Sequence, residues 1–233
     1  MKNYFLVLDT ETSDLPKRWD KPYNTPKNWP HVVQIAWVIY DATKQEIKRE
    51  NHYLKNDDFK ITAAAYNIHK INHDFLLKNG EDRKEILELL KSDLEQYDPL
   101  VLGHFMELDF HMVNVEFFRA QINYSLDSHL LYCTMYASVP YIKNPTFKFL
   151  KLGRFYKTLF GVKPDKQHHA LFDALLTADI FFNLLKKGEI NDTIIENQQA
   201  IIKRSAYKNR YPYILPILML LIIALLIWFW YER

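Results

Sequence analysis

Residues 4–8 read Tyr-Phe-Leu-Val-Leu, an apolar run with no polar alternation. A strand with one solvated face alternates, so an unbroken run marks a strand near the centre of a sheet, and the coarse class that follows is α/β. The run does not end in Gly, Asn or Pro. It meets Asp9-Thr10-Glu11 at once, which sets two carboxylates at the mouth of the core. Successive strand side chains alternate, so Asp9 and Glu11 share a face, roughly 6.6 Å apart along the strand. Like charges that close repel unless something positive lies between them, and hard divalent cations such as Mg²⁺ or Mn²⁺ prefer oxygen ligands of this kind. For one Asp-x-Glu taken alone, a solvated strand end or helix cap is the plainer explanation.

The remaining pattern supports the same class. Residues 31–41 form a second strand, and a third, alternating toward solvent, is expected near 46–55 after the polar stretch Asp41–Gln45. Ile86, Leu89, Leu90 and Leu94 repeat at helical spacing within 81–97, and Pro99 ends that pattern before a short buried strand at 100–104. Helices are expected at 109–121, 148–160 and 170–187, the last closed by Gly188. A length of 233 residues suffices for one sizeable domain with an appendage. The net charge of +2 is too small to imply a nucleic-acid binder, so any such surface must come from local clustering. Cys133 is the single cysteine, which excludes an intrachain disulfide and fits a reducing compartment. Asp9 interrupts any N-terminal signal-peptide core.

Residues 213–230 carry no charge. Eighteen helical residues extend about 27 Å at about 1.5 Å each, close to the ~30 Å hydrocarbon core of a bilayer. Tyr211 and Tyr213 flank one end, and Trp228, Trp230 and Tyr231 the other, as interfacial aromatics do. Lys203, Arg204, Lys208 and Arg210 precede the run and only Glu232-Arg233 follow it, a bias that leaves the N-terminal domain in the cytoplasm. The organisation expected is a globular α/β domain over 1–188, a charged helical stalk over 189–210 and a single membrane-spanning tail anchor over 211–231.

Further acids stand at matching positions. Asp109 heads an apolar helical pattern, where by itself it reads as an N-cap. Asp173 lies within an apolar helix face with Leu176 and Ile180, where an acid is costly unless paired or metal-bound, whereas Asp179 falls on the solvated side. His168 and His169 precede this helix. His169 is four positions before Asp173 and would share its face on a continuous helix, while His168 belongs to the entering loop.

Asp9-x-Glu11, a distal Asp109 and His168-x-Ala170-x-x-Asp173, in that order, resemble the DEDDh exonucleases, the family of ribonuclease T and the polymerase-proofreading subunits. The segments "DTETSDLP", "IHKIN" at 68–72, "CTM" at 133–135 and "LGRFYKTLFG" downstream are similar to that family too, and the likeness covers about residues 1–187. It implies a ribonuclease H-like mixed five-stranded sheet flanked by helices, and 3′→5′ hydrolysis of DNA or RNA ends that releases nucleoside 5′-monophosphates. It also implies that Asp9, Glu11, Asp109 and Asp173 hold two Mg²⁺ ions (or Mn²⁺) roughly 3.5–4 Å apart, with Asp9 bridging. The family pattern selects His168 over His169 as the base that takes a proton from the attacking water. Thr12 and Leu15 resemble residues that hold the last nucleotide. His104 is a third candidate substrate contact, and equally reads as a satisfied strand-end histidine. Departures from the family pattern are Asp14 and Lys70 where Gly is usual, and Phe105 and Leu108 where Asn and Phe are usual. None is a proposed ligand, so they bear on substrate choice. His31, His111 and Cys133 read as structural.

Lys143, Lys148, Lys151, Arg154, Lys157, Lys163 and Lys166 crowd a stretch whose one acid is Asp165. Such a stripe is either a solvated face or a track for a phosphate backbone. Two other classes compete with an exonuclease: a nucleic-acid-binding scaffold without turnover, and a metal-dependent phosphodiesterase acting on short oligonucleotides. The intact set of four acids and a histidine argues against the scaffold.

Overall fold

The computed structural model describes residues 1–55, 58–165 and 168–207. Strands β1 (Tyr4–Thr12), β2 (Val32–Asp41) and β3 (Glu46–Tyr53) come first, followed by the short helices α1 (Ala63–His69) and α2 (His73–Asn79) and the longer α3 (Arg83–Tyr97). Then come β4 (Leu100–Gly103), α4 (Met106–Arg119), β5 (Leu130–Cys133), α5 (Thr134–Ala137), α6 (Leu152–Phe160), α7 (Ala170–Lys186) and α8 (Asp192–Tyr207). The five strands form one mixed sheet in the order β3-β2-β1-β4-β5. β1 pairs antiparallel with β2 and parallel with β4, so the strand of unbroken apolar character does occupy the centre.

The two faces of β1 belong to different layers. Leu6 and Leu8 pack with Trp37 of β2, Leu87 and Leu90 of α3, and Phe110 and Phe117 of α4. Phe5 and Val7 pack with Val38 and Tyr40 of β2, Phe155 of α6, and Ala174 and Phe181 of α7. Complete burial of a Phe such as Phe110, Phe155 or Phe181 contributes about 1.5–3 kcal/mol. By strand alternation, Asp9 and Glu11 continue the face covered by α7, and Thr10 the face covered by α4. The end of β1 is therefore where acids from both helical layers can meet.

A buried ion cluster fixes α4 against the sheet. Glu116, fully buried, accepts from the Val32 amide at 3.0 Å and from Arg119 Nη1 at 2.9 Å. Arg83 Nη1 lies 2.7 Å from its other oxygen, an ion pair outside hydrogen-bond angles, and donates to the Val32 carbonyl at 3.1 Å. Removing one partner of such a cluster leaves the others charged and buried, which is costlier than never having had the pair.

Several elements differ from the sequence reading. α4 begins at Met106, so Asp109 lies inside the first turn and is not the cap; Phe105 holds that position with φ 134°. The helix expected from 148 starts at Leu152. α1 and α2 were not anticipated, being seven residues each and defined by the caps Thr62 and Asn72, whose side chains accept from Ala65 and Phe75 amides. The stalk expected over 189–210 contains α8, which lies against β5 through buried Ile195 and Ile202, with Gln198 Oε1 accepting from the Cys133 amide at 2.8 Å. The span expected over 211–231 lies outside the described residues, among which no helix is long and apolar enough to cross a membrane.

Lys70 ends α1 in the left-handed region, φ 62°, which explains physically why glycine is the residue usual there. Lys70→Gly is expected to stabilise the domain by about 0.5–1 kcal/mol, relief of the left-handed strain exceeding the added freedom of the unfolded chain. Urea denaturation measures this, and a destabilised variant would contradict it.

Candidate active site

Asp9 and Glu11 leave the end of β1 toward α7, and α4 brings Asp109 from the opposite layer. β4 ends at Gly103, where a side-chain carbon would sit 3.1 Å from Asp109 Oδ2 and 3.2 Å from both the Leu8 carbonyl and Met106 Sδ. A side chain there would push the first turn of α4 away by a few tenths of an ångström. Asp109 Oδ1 then accepts from the Thr10 amide at 3.0 Å and from Thr10 Oγ1 at 2.7 Å, which pins α4 to β1.

The other layer is fixed through Gln34, paired across the sheet with Glu11 and fully buried. Its Oε1 accepts from the Ala170 amide at 3.3 Å, and its Nε2 donates to Asn51 Oδ1 at 2.7 Å. His169 stands at the N-cap position of α7 without a side-chain capping bond; its ring nitrogen lies 3.2 Å from Gln34 Nε2 and 3.2 Å from Tyr53 Oη, so this imidazole serves the packing of the helix start. His168 lies one residue outside, exposed, with φ 63°. That conformation turns its backbone N–H onto Asp173 Oδ2 at 3.0 Å. One ligand atom each of His168, Glu11 and Asp173 lie within 4.8 Å of one another. Asp173 Oδ1 is buried and has no hydrogen-bond partner among the described residues.

Burial is the first cause of every pKa displacement in this cluster, and mutual repulsion adds to it. Asp9 is pushed well above the usual carboxylate range by burial and then by Asp109, Asp173 and Glu11. Glu11 rises to about 8, by burial and by Asp173 and Asp109. Asp109 rises to about 7 by burial, although its bonds from Thr10 favour the ionised form. Asp173 rises to about 6, burial being moderated by the amide and the charge of His168. Among the described residues no lysine or arginine pairs with the four acids. Four oxygen-donor groups that resist ionisation, one with an orphaned buried oxygen, fit the coordination of hard divalent cations.

Thr12 is buried, its Oγ1 donating to the Asp14 carbonyl at 2.6 Å, while Leu15 stands 59% exposed on the loop that follows. His104 is placed differently from the acids. Its Nδ1 lies 2.9 Å from Thr134 Oγ1 and its Nε2 3.0 Å from the Leu150 carbonyl, so both nitrogens are engaged by the fold, and burial pushes its pKa down to about 4. Sequence reasoning passed over Thr10, Gln34 and His69. His69 Nε2 lies 3.3 Å from the Thr12 carbonyl, and its Nδ1 accepts from the Ile71 amide at 3.0 Å, which supports the loop after β1. Gln34 carried the clearest signal, a polar residue in an otherwise apolar strand that must find partners.

Residues 6–181 match the ribonuclease T family model, whose description is "Exonuclease". No curated protein sequence matches the chain. Among solved structures, E. coli Exonuclease I in complex with a dT13 oligonucleotide is similar with a TM-score of 0.61 at 19% identity, over 79% of this chain and 41% of that one. The zinc-bound form of the E. coli Exonuclease I–single-stranded DNA complex gives a TM-score of 0.61 at 18% identity, over 80% and 41%. A 3′-exonuclease in a structure of 3′-end-specific recognition of a histone mRNA stem-loop gives 0.62 at 14% identity, over 80% and 65%. These likenesses show the fold. The chain spans about two fifths of the length of Exonuclease I and under two thirds of the 3′-exonuclease.

The raised pKa values set a sign for stability. Free carboxylic acids in an unfolded chain lose their protons near pH 4, whereas Glu11 in the fold keeps its proton to about pH 8. Its contribution is therefore fully present below about pH 4 and is lost as pH rises to about 8. In EDTA, the melting-temperature advantage of Glu11→Gln over the wild type is expected to grow across that window. An advantage independent of pH would contradict it.

Proposed function

The chain belongs to the exonuclease family, and we propose that it is a divalent-metal-dependent 3′→5′ exonuclease releasing nucleoside 5′-monophosphates from DNA or RNA ends. One observation carries the reading: four carboxylates from β1, α4 and α7 converge beside an exposed His168, with no lysine or arginine among the described residues to neutralise them. Asp9, Glu11, Asp109 and Asp173 would hold Mg²⁺, with Mn²⁺ as a substitute. When bound, the metal supplies a lowered pKa for the attacking water and neutralisation of charge on the phosphate.

The chain's own groups do the rest. His168, outside the helix and within reach of Glu11 and Asp173, accepts the proton of the attacking water. Its fixed backbone N–H bond to Asp173 orients the loop without engaging the ring. Thr12 and the exposed Leu15 hold the terminal nucleotide, Leu15 by apolar contact with its base. Likeness to nucleases described with bound oligonucleotides or with an mRNA 3′ end supports a polymer end as substrate. We place residues 211–231 across a bilayer, with the domain on the cytoplasmic side, on the charge asymmetry around the apolar run.

The test uses the full chain in detergent with 5′-labelled single-stranded DNA and RNA. A ladder shortening from the 3′ end in Mg²⁺ is expected, absent in EDTA and in Asp9→Ala, with kcat lowered about 10²–10⁴-fold in His168→Ala. A folded protein that degrades neither polymer would shift the assignment to a scaffold, or to a phosphodiesterase if dinucleotides are cleaved. For the membrane segment, the full chain is expected to float with phosphatidylglycerol-containing liposomes and a chain ending at Tyr207 to remain in the dense fraction. Equal behaviour of the two would refute the span.

A further inference from the structure

Between α5 and α6 the chain bounds a surface groove of about 330 Å³, separate from the carboxylate cluster. Its lining includes Tyr141, Lys143, Asn144, Phe147, Arg154 and Lys157. Three cations line it and no acid does. Among the described residues no ion pair joins any of the three to an acid, and all three are exposed. The Arg154 guanidinium carbon lies 4.4 Å from the centre of the Phe147 ring, and Phe147 is 39% exposed.

A solvated basic face needs no aromatic ring among its cations. Alternating rings and exposed cations match a flexible polyanion with its own flat, stackable groups, whose phosphates meet the cations while a base lies on the open face of the ring. The groove also adjoins the catalytic end of the sheet. Leu150, on its floor, bonds through its carbonyl to His104, the residue that follows β4 and leads into the helix carrying Asp109.

We propose that this groove holds single-stranded nucleic acid several nucleotides from the 3′ end, with phosphates at Lys143, Arg154 and Lys157 and a base stacked at Phe147. The assignment rests on the nuclease reading of the carboxylate site for the polarity of the strand. Duplex nucleic acid, whose bases are already stacked and paired, gains nothing from Phe147. The apolar stem of Arg154 and the Phe147 ring both lie at the surface, so substituting either leaves buried Phe155 in place.

The experiment is fluorescence anisotropy of a labelled 20-nucleotide single strand with the full chain in detergent and EDTA, across a salt series. Phe147→Ala is expected to weaken binding about 5–100-fold with the salt slope intact, as loss of one stacked base does. Arg154→Ala should weaken binding and flatten the slope of log affinity against log salt by about 0.7, one phosphate contact on a single strand, and Arg154→Lys should restore the slope. Wild-type protein that fails to bind the strand, or variants that bind it as the wild type does, would overturn the groove assignment. A ladder assay in Mg²⁺ separates the two readings. Binding through Phe147 with no ladder defeats the nuclease and keeps the groove, whereas a ladder with indifferent variants defeats the groove alone.

Discussion

Asp9, Glu11, Asp109 and Asp173 are held at close quarters against their own repulsion, and a small set of polar bonds keeps them there. Thr10 gives two bonds to Asp109, and the absence of a side chain at Gly103 lets that carboxylate approach β1. Gln34 ties the start of α7 to β2, and the His168 amide holds Asp173. Deeper in, Glu116 locks α4 to β2 and α3 with two arginines. The contrast between the two acid groups is instructive. Glu116 meets its counterions inside the protein, whereas the four acids at the end of β1 meet no lysine or arginine among the described residues, which leaves them suited to a cation from outside.

A site built this way stores unfavourable energy that the rest of the fold must offset. Two separate apolar layers, one on each face of β1, provide that reserve. His168 and Phe105 add backbone strain beside the acids, with φ values of 63° and 134°. Strained residues adjoining a cluster of displaced pKa values are expected where geometry is held for chemistry rather than for stability.

The central strand, the β2–β3 hairpin, α3 and α7 were legible because their patterns are long and consistent: an unbroken apolar run, an alternating strand, and helical spacing of leucines. β5 was not placed, since four residues in an apolar neighbourhood carry no period. α1 and α2 depend on capping side chains more than on any apolar stripe. Within the candidate site, the acids were visible because carboxylates in apolar segments are costly, and the structure gathers them. Asp109 was misplaced at the helix boundary because an Asp ahead of an apolar pattern looks alike whether it caps the helix or lies a turn inside. Which of His168 and His169 lies outside α7 turns on where that helix starts, and there the Ala170 amide bonds Gln34, 136 residues away in sequence. No local pattern reports such a contact.

The packing of α8 on β5 bears on how the sheet ends. β5 is an outermost strand, and an outermost strand normally offers unpaired amides and carbonyls to any passing chain. Here α8 lies at that margin: Gln198 takes the Cys133 amide of β5, and just before the strand Gln199 donates to the His129 carbonyl at 3.3 Å and Lys203 to the Asp127 carbonyl at 2.6 Å. The helix thus covers this margin without offering a ladder of its own. The opposite margin, β3, is met at its end by Glu81, whose amide bonds the Tyr53 carbonyl at 2.8 Å, and along its length carries Glu46, Lys48, Arg49 and Glu50, charges that make edge-to-edge association between copies unfavourable. The sheet is thereby kept from growing at either end, by cover on one side and by charge on the other.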